Sequence, residues 1–260
     1  MSARPYAHPV FAADRSARRT FRVNSIFQKL EASPLLARGA PFAAFVLLTF
    51  CQGKFGEASR YWFYFAKTIV GAWLIWQVRP LIAELKWKWS WEAAVVGVAV
   101  VVMWVGIDGY YPRLDRLLSQ VGLAKAKSET ELASELWNPH TRFGQGSALA
   151  WMFIVTRVLG SSIVAPPLEE VFYRSLVYRY VVRPDFQSVP LGQFSWAPFL
   201  ITAVVFGSAH QEWLAGILCA FAYQGLVCRH KRLGEAITAH AITNLLLGLW
   251  VVWRGAWKFW

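Results

Sequence analysis

Residues 147–182 read SALAWMFIVTRVLGSSIVAPPLEEVFYRSLVYRYVV, and the two halves of this stretch differ in kind. In Ser147–Ala165 the single charged residue is Arg157. A helix rises about 1.5 Å per residue, so about 20 such residues cross a hydrocarbon layer of about 30 Å. The second half opens on Pro166-Pro167 and at once carries Glu169, Glu170 and Arg174, charges that are costly in lipid. Proline lacks the N–H that a helix interior needs. The expected arrangement is therefore a spanning helix that stops at the proline pair, then a second helix from Pro167 to about Val182.

Similar apolar runs recur on both sides of this stretch. The spacing predicts spans over about Leu35–Cys51 (interrupted by Arg38 and Gly39), Tyr61–Val78, Trp91–Ile107, Ser195–Ala209, Trp213–Cys228 and Glu235–Trp253. Apolar residues make up 56% of the chain and charged residues 16%, where soluble chains carry about one quarter charged residues. A soluble domain of this length could not hide so many apolar runs. The fold class this implies is all-α, a polytopic transmembrane bundle of about seven or eight helices. Three regions follow: a basic arm over 1–38, N-terminal transmembrane helices over 39–145, and a membrane core over 146–260. The polar stretch 108–146 is expected to be an extramembrane loop with one or two surface helices, over about Leu114–Leu123 and Lys125–Glu135.

The formal charge is +12, and its distribution decides what it means. Arg4, Arg15, Arg18, Arg19, Arg22, Lys29 and Arg38 crowd the arm, and other basic residues sit between apolar runs, as Lys86 and Lys88 do among Trp87, Trp89 and Trp91. Basic residues so placed orient a membrane protein and attract anionic lipids; nucleic acid is not the partner they imply. The arm has no compact apolar core after a short basic start, so it is not a cleavable signal. It reads as cytoplasmic, with a short amphipathic piece near Phe21–Leu30, in a bacterial inner membrane. Orientation stays open: if Pro167–Val182 spans, the basic run Arg229–Arg232 falls outside, and if it only dips into the membrane, that run falls inside. Cys51, Cys219 and Cys228 lie in or beside apolar runs, form no C-x-x-C pair, and read as small buried residues.

Ionisable residues inside apolar segments cluster in three places in the C-terminal half. The first is Glu169-Glu170 with Arg174. As an ordinary helix start, this is two first-turn acids with Glu170 and Arg174 as an i,i+4 pair. In a membrane, two adjacent carboxylates also require a compensating cation. The second is His210 at the end of an apolar segment, where a plain interfacial histidine is the competing reading. The third is His240 and Asn244, on one face of the last apolar helix, which could equally be an interhelical hydrogen-bond pair. Taken together, the three can hydrolyse an acyl bond: a carboxylate takes a proton from water, a histidine shares that water or holds a metal, and a second His and an Asn donate to a developing oxyanion.

The order E-E-x-x-x-R (Glu169, Glu170, Arg174), F-x-x-x-H (Phe206, His210), H-x-x-x-N (His240, Asn244) resembles the CAAX proteases and bacteriocin-processing enzymes, which include the type II CAAX prenyl endopeptidase. The likeness runs over about Ser147 to Trp253. Arg174-Ser175 and His210–Gly216 also look like a bacterial branch termed CAAX prenyl protease-related, met beside exosortase and exopolysaccharide systems. The resemblance implies an intramembrane endopeptidase with Glu169 as general base on water and His210 sharing that water. It implies His240 and Asn244 completing the site at the oxyanion, with Glu170 and Arg174 as the supporting pair. No H-E-x-x-H motif is present. The family is described both as metal-dependent and as glutamate-based; a metal, if bound, would be zinc on Glu169, His210 and His240. The implied substrate is a membrane-embedded or lipid-anchored peptide or protein tail. The N-terminal half, without such motifs, is expected to supply lipid-facing walls, and Arg157 to snorkel or form a structural pair.

Two other functions compete. A non-catalytic scaffold or immunity-type module of an exosortase or exopolysaccharide system would keep these residues as a polar core. A proton-coupled transporter would use Glu169, Glu170 and His210 as a relay, although the chain lacks the paired broken helices and inverted halves typical of transporters.

Overall fold

A computed structural model describes residues 25–125 and 127–260. Most of the basic arm, including Phe21–Asn24 of the expected amphipathic piece, lies outside the described residues. Among those described, no strand occurs. The helices are α1 (Ser25–Ala32), α2 (Pro34–Phe50), α3 (Ser59–Val78), α4 (Trp91–Gly106), α5 (Leu114–Gln120), α6 (Glu129–Glu135) and α7 (Pro139–Phe143). They are followed by α8 (Ala148–Val182), α9 (Trp196–Ser208), α10 (Trp213–His230) and α11 (Gly234–Arg254). Ser33, Ser90 and Ser147 cap α2, α4 and α8 by accepting hydrogen bonds from Leu36, Ala93 and Ala150 N–H. The polar stretch holds three short helices, α5 to α7.

The proline pair does not stop α8. Residues 148–182 form one continuous helix that widens into π-helical turns at Gly160–Val164 and Val171–Val177. The Ala165 N–H skips one carbonyl and bonds Gly160 O. In the α-helical pattern it would bond Ser161 O, and in the π pattern that carbonyl would look to residue 166, a proline without an N–H. The widened turn thus carries the chain past both prolines, and Ser161 O is left without a helical donor.

The longer helices α2, α3, α4, α8, α9, α10 and α11 alternate in direction between two ends. One end gathers the basic connections. There Arg38 of α2 and Arg179 of α8 both bond Glu84, Tyr178 OH donates to Gln193 O, Arg229 pairs with Glu92, and Thr238 Oγ1 donates to Lys88 O. The opposite end carries α5 to α7. Arg113 pairs there with Glu212 at 3.3 Å, Trp213 Nε1 donates to Pro112 O, Lys258 pairs with Asp108, and the Trp137 and Trp260 rings meet. Because 147–182 is a single helix, Arg229–Arg232 falls on the same end as Arg79–Lys88, and the tension over that basic run disappears.

Helices α8 and α11 are each long and apolar enough to cross a membrane; α2, α4 and α9 are shorter apolar helices. Large apolar side chains point outward along the bundle, among them Leu47, Trp76, Val102, Val204 and Leu249. A water-facing surface seldom presents so broad an apolar area. Inside, α11 packs on α4 through Gly97, where an added Cβ would come within 2.8 Å of Ala239 O.

Candidate active site

Glu170 sits at the centre of the bundle with none of its side chain exposed. Its Oε1 lies 2.9 Å from His240 Nδ1, and its Oε2 lies 3.1 Å from Arg174 Nε. The Arg174 guanidinium rests 4.6 Å from the centroid of the Phe206 ring, a cation–π contact inside a dry core. The imidazole of His240 stacks on Tyr223, 5.0 Å between centroids and 25° between planes. Tyr223 OH in turn donates to Thr243 Oγ1 at 2.7 Å. With Nδ1–H given to Glu170, His240 turns Nε2 toward Glu169, whose Oε2 is 4.0 Å away.

Phe206 serves both ends of its motif. While its ring supports Arg174, its carbonyl oxygen lies 2.9 Å from His210 Nδ1. His210 also meets the Trp104 ring edge-on at 5.6 Å. The turn that carries it is drawn tight by Gly207 and Gly216: a Cβ on Gly216 would stand 2.9 Å from Gly207 Cα, so α9 and α10 touch backbone to backbone beside the histidine. Asn244 Nδ2 donates to Ser161 O at 2.8 Å. That is the carbonyl freed by the π turn and Pro166, so the proline pair provides the anchor for Asn244.

Glu169, His210, His240 and Asn244 line one cavity of about 320 Å³. Glu170 and Arg174 lie behind its wall. Two cations, Lys67 and Arg157, share the lining, with Phe45, Tyr64, Trp104, Phe259 and Trp260 among the aromatic walls. The cavity extends toward Glu212, whose carboxyl is pushed up by burial against the opposing pull of Arg113. The N-terminal half was expected to face lipid, yet Phe45, Tyr64, Lys67 and Trp104 form part of this chamber because α2 and α3 pack on α8 and α4 packs on α10 and α11. Lys67 left a signal in the sequence, an ionisable residue inside an apolar run. Nothing local marked Tyr223 or Thr243, which act through neighbours supplied by other helices. Arg157 forms no carboxylate pair among the described residues; its guanidinium lies over Tyr64, Trp137 and Trp260.

The conditional zinc ligands, Glu169, His210 and His240, are not gathered as a set. Among the described residues, no group of three His, Cys, Asp or Glu stands close enough to hold a metal ion. Each ring has its Nδ1 engaged, His240 with Glu170 and His210 with Phe206 O.

Residues 147–246 match the family model described as Rce1-like, type II CAAX prenyl endopeptidase. This segment is similar to that family. The match covers under half of the 260 residues, yet it takes in all six sequence-derived site residues. No curated protein and no solved structure matches the chain. At the level of the family, the Rce1-like match supports a CAAX-type intramembrane protease, and with the apolar α8 and α11 it marks a membrane protein.

Proposed function

We propose that this chain is an intramembrane endopeptidase that cleaves a peptide bond in a membrane-associated protein tail. One observation carries this most: Glu169 of α8, His210 of the turn between α9 and α10, and His240 and Asn244 of α11 border a single cavity while their supports, Glu170 and Arg174, stay outside it. Glu169 takes a proton from a water held against His210, and the water oxygen bonds to the scissile carbonyl carbon. The Asn244 amide keeps a second N–H beyond its bond to Ser161 O, and this donates to the oxyanion. His240, with Nδ1–H engaged by Glu170, turns Nε2 toward the same chamber. As the carbon–nitrogen bond breaks, the proton on Glu169 passes to the leaving amine. Because the three residues named as ligands do not converge, no step is routed through a metal.

The basic end faces the cytoplasm of a bacterial inner membrane in this scheme, so the bundle obeys the positive-inside rule, and the basic segments meet anionic lipid. An association with an exosortase or exopolysaccharide system follows only from the resemblance around His210–Gly216. The test compares wild type with Glu169→Gln in the native membrane, by mass spectrometry of membrane-protein C-termini. General-base removal lowers cleavage by about 10²–10⁴-fold, so unprocessed tails accumulate while the variant folds normally. Identical tails in both strains would instead favour the scaffold.

A further inference from the structure

Lys67 and Arg157 are cations facing the cavity, and the proposed chemistry uses neither. Lys67 is 7% exposed. Its Nζ donates to Thr49 Oγ1 at 3.0 Å and lies 4.4 Å from the centroid of the Tyr64 ring, which leaves further ammonium protons without a partner. The Arg157 guanidinium lies 4.8 Å from the same ring centroid, 4.5 Å from that of Trp137 and 5.3 Å from that of Trp260. Sharing Tyr64 places the two charges within about 9 Å of each other. Among the described residues neither cation has a carboxylate within ion-pair distance. Glu169, the acid on the same cavity wall, faces His240 instead. Aromatic faces stabilise a cation but do not neutralise it. Lys67 is buried and Arg157 part-buried, and a charge held out of water costs several kcal/mol unless an anion meets it.

We propose that Lys67 and Arg157 form an anion subsite that binds the free C-terminal carboxylate of the peptide tail, so that the enzyme recognises chain ends. The proposal takes the peptidase activity above as its premise. A guanidinium fork and an ammonium on one cavity wall suit a carboxylate, and the aromatic lining of that cavity suits apolar tail side chains. Arg157 and Glu169 lie twelve positions apart on α8, about 18 Å of helix at 1.5 Å per residue. A few residues of extended chain, at about 3.3–3.6 Å each, bridge such a gap. Lipid headgroup phosphate is the other source of an anion. Against it, Lys67 is eight residues in from the start of α3 at Ser59, about 12 Å along the helix, on the wall of an interior cavity.

The experiment measures binding of an N-terminally fluorescein-labelled Ala-Val-Ile-Leu peptide to the full-length protein in phosphatidylcholine nanodiscs. The peptide is used as free acid and as C-terminal amide. Wild type is expected to bind the acid at least ten-fold more tightly than the amide. Lys67→Gln and Arg157→Gln each bring that ratio toward one. Equal binding of acid and amide by wild type overturns the proposal, and this outcome does not depend on how either variant folds. Displacement of the peptide by dihexanoyl phosphatidate, but not by dihexanoyl phosphatidylcholine, together with loss of the acid preference, assigns the cations to a headgroup and also overturns it. Binding requires no turnover. A retained acid preference in a protein that cleaves nothing would therefore refute the peptidase activity and leave the subsite standing, whereas cleavage without the preference would do the reverse.

Discussion

Two buried charge clusters lie along α8, and they are built to opposite plans. At the basic end, Glu84 Oε1 accepts from Arg38 Nη2 at 2.7 Å, from Arg179 Nη2 at 2.9 Å and from the Ser175 hydroxyl. Ser175 Oγ also accepts from Arg38 and Arg179. Every member faces another, and together they tie α2, the 79–90 connection and α8. In the middle of the bundle, Glu170 is likewise enclosed by Arg174 and His240, but its neighbour Glu169 faces a chamber with His210, His240 and Asn244. A cluster that closes on itself is a lock. A cluster that lines a cavity keeps donors and acceptors exposed to it.

The comparison breaks most visibly on stability. Glu84→Ala leaves two buried guanidinium groups uncompensated and is expected to cost about 3–5 kcal/mol, read as a lowered unfolding transition in detergent. Glu169→Gln, proposed to lower cleavage by about 10²–10⁴-fold, is expected to leave that transition nearly unmoved. If Glu169→Gln were the more destabilising of the two, the chamber would be part of the scaffold and the contrast would fail.

Acid sharpens it. Burial works to raise the Glu84 carboxyl, but the Ser175 hydroxyl and the Arg38 guanidinium outweigh burial and hold it below the usual carboxylate range. A depressed carboxyl stabilises the fold fully above its unfolded value of about 4.3, and that contribution disappears as pH falls through the folded value. The stability gap between wild type and Glu84→Ala should therefore stay constant from neutral pH down to that range and shrink below it. A gap that persisted at lower pH would mean that packing, not charge, holds this end. The smallest effect is expected at Lys127→Ala. Its pair with Glu135 is exposed on the loop, exposed pairs contribute little, and the melting of this variant should coincide with wild type.

Seven of the apolar runs could be read as helices because their length and composition match a bilayer; the observed Trp91–Gly106 and Gly234–Arg254 lie within a residue of the expected bounds at each end. The candidate site was legible as three ordered motifs, since charges in apolar helices stand out. The continuity of α8 was not. A proline pair reads locally as a stop, and only packing against neighbouring helices, with the Asn244 amide satisfying Ser161 O, makes the π-widened passage tolerable. Lys67 and Arg157 were visible as charges, but not as occupants of one chamber.

By itself, then, the sequence determined that this is a helical membrane chain with an Rce1-like segment, because hydropathy and motif order are one-dimensional properties. The tertiary structure alone decided which charges pair and which face a cavity. It put Glu170 behind the wall and Glu169 within it, and it brought α2, α3 and α4 into the chamber. Adjacent residues on a helix point about 100° apart, and what each of them meets depends on helices far away in the chain.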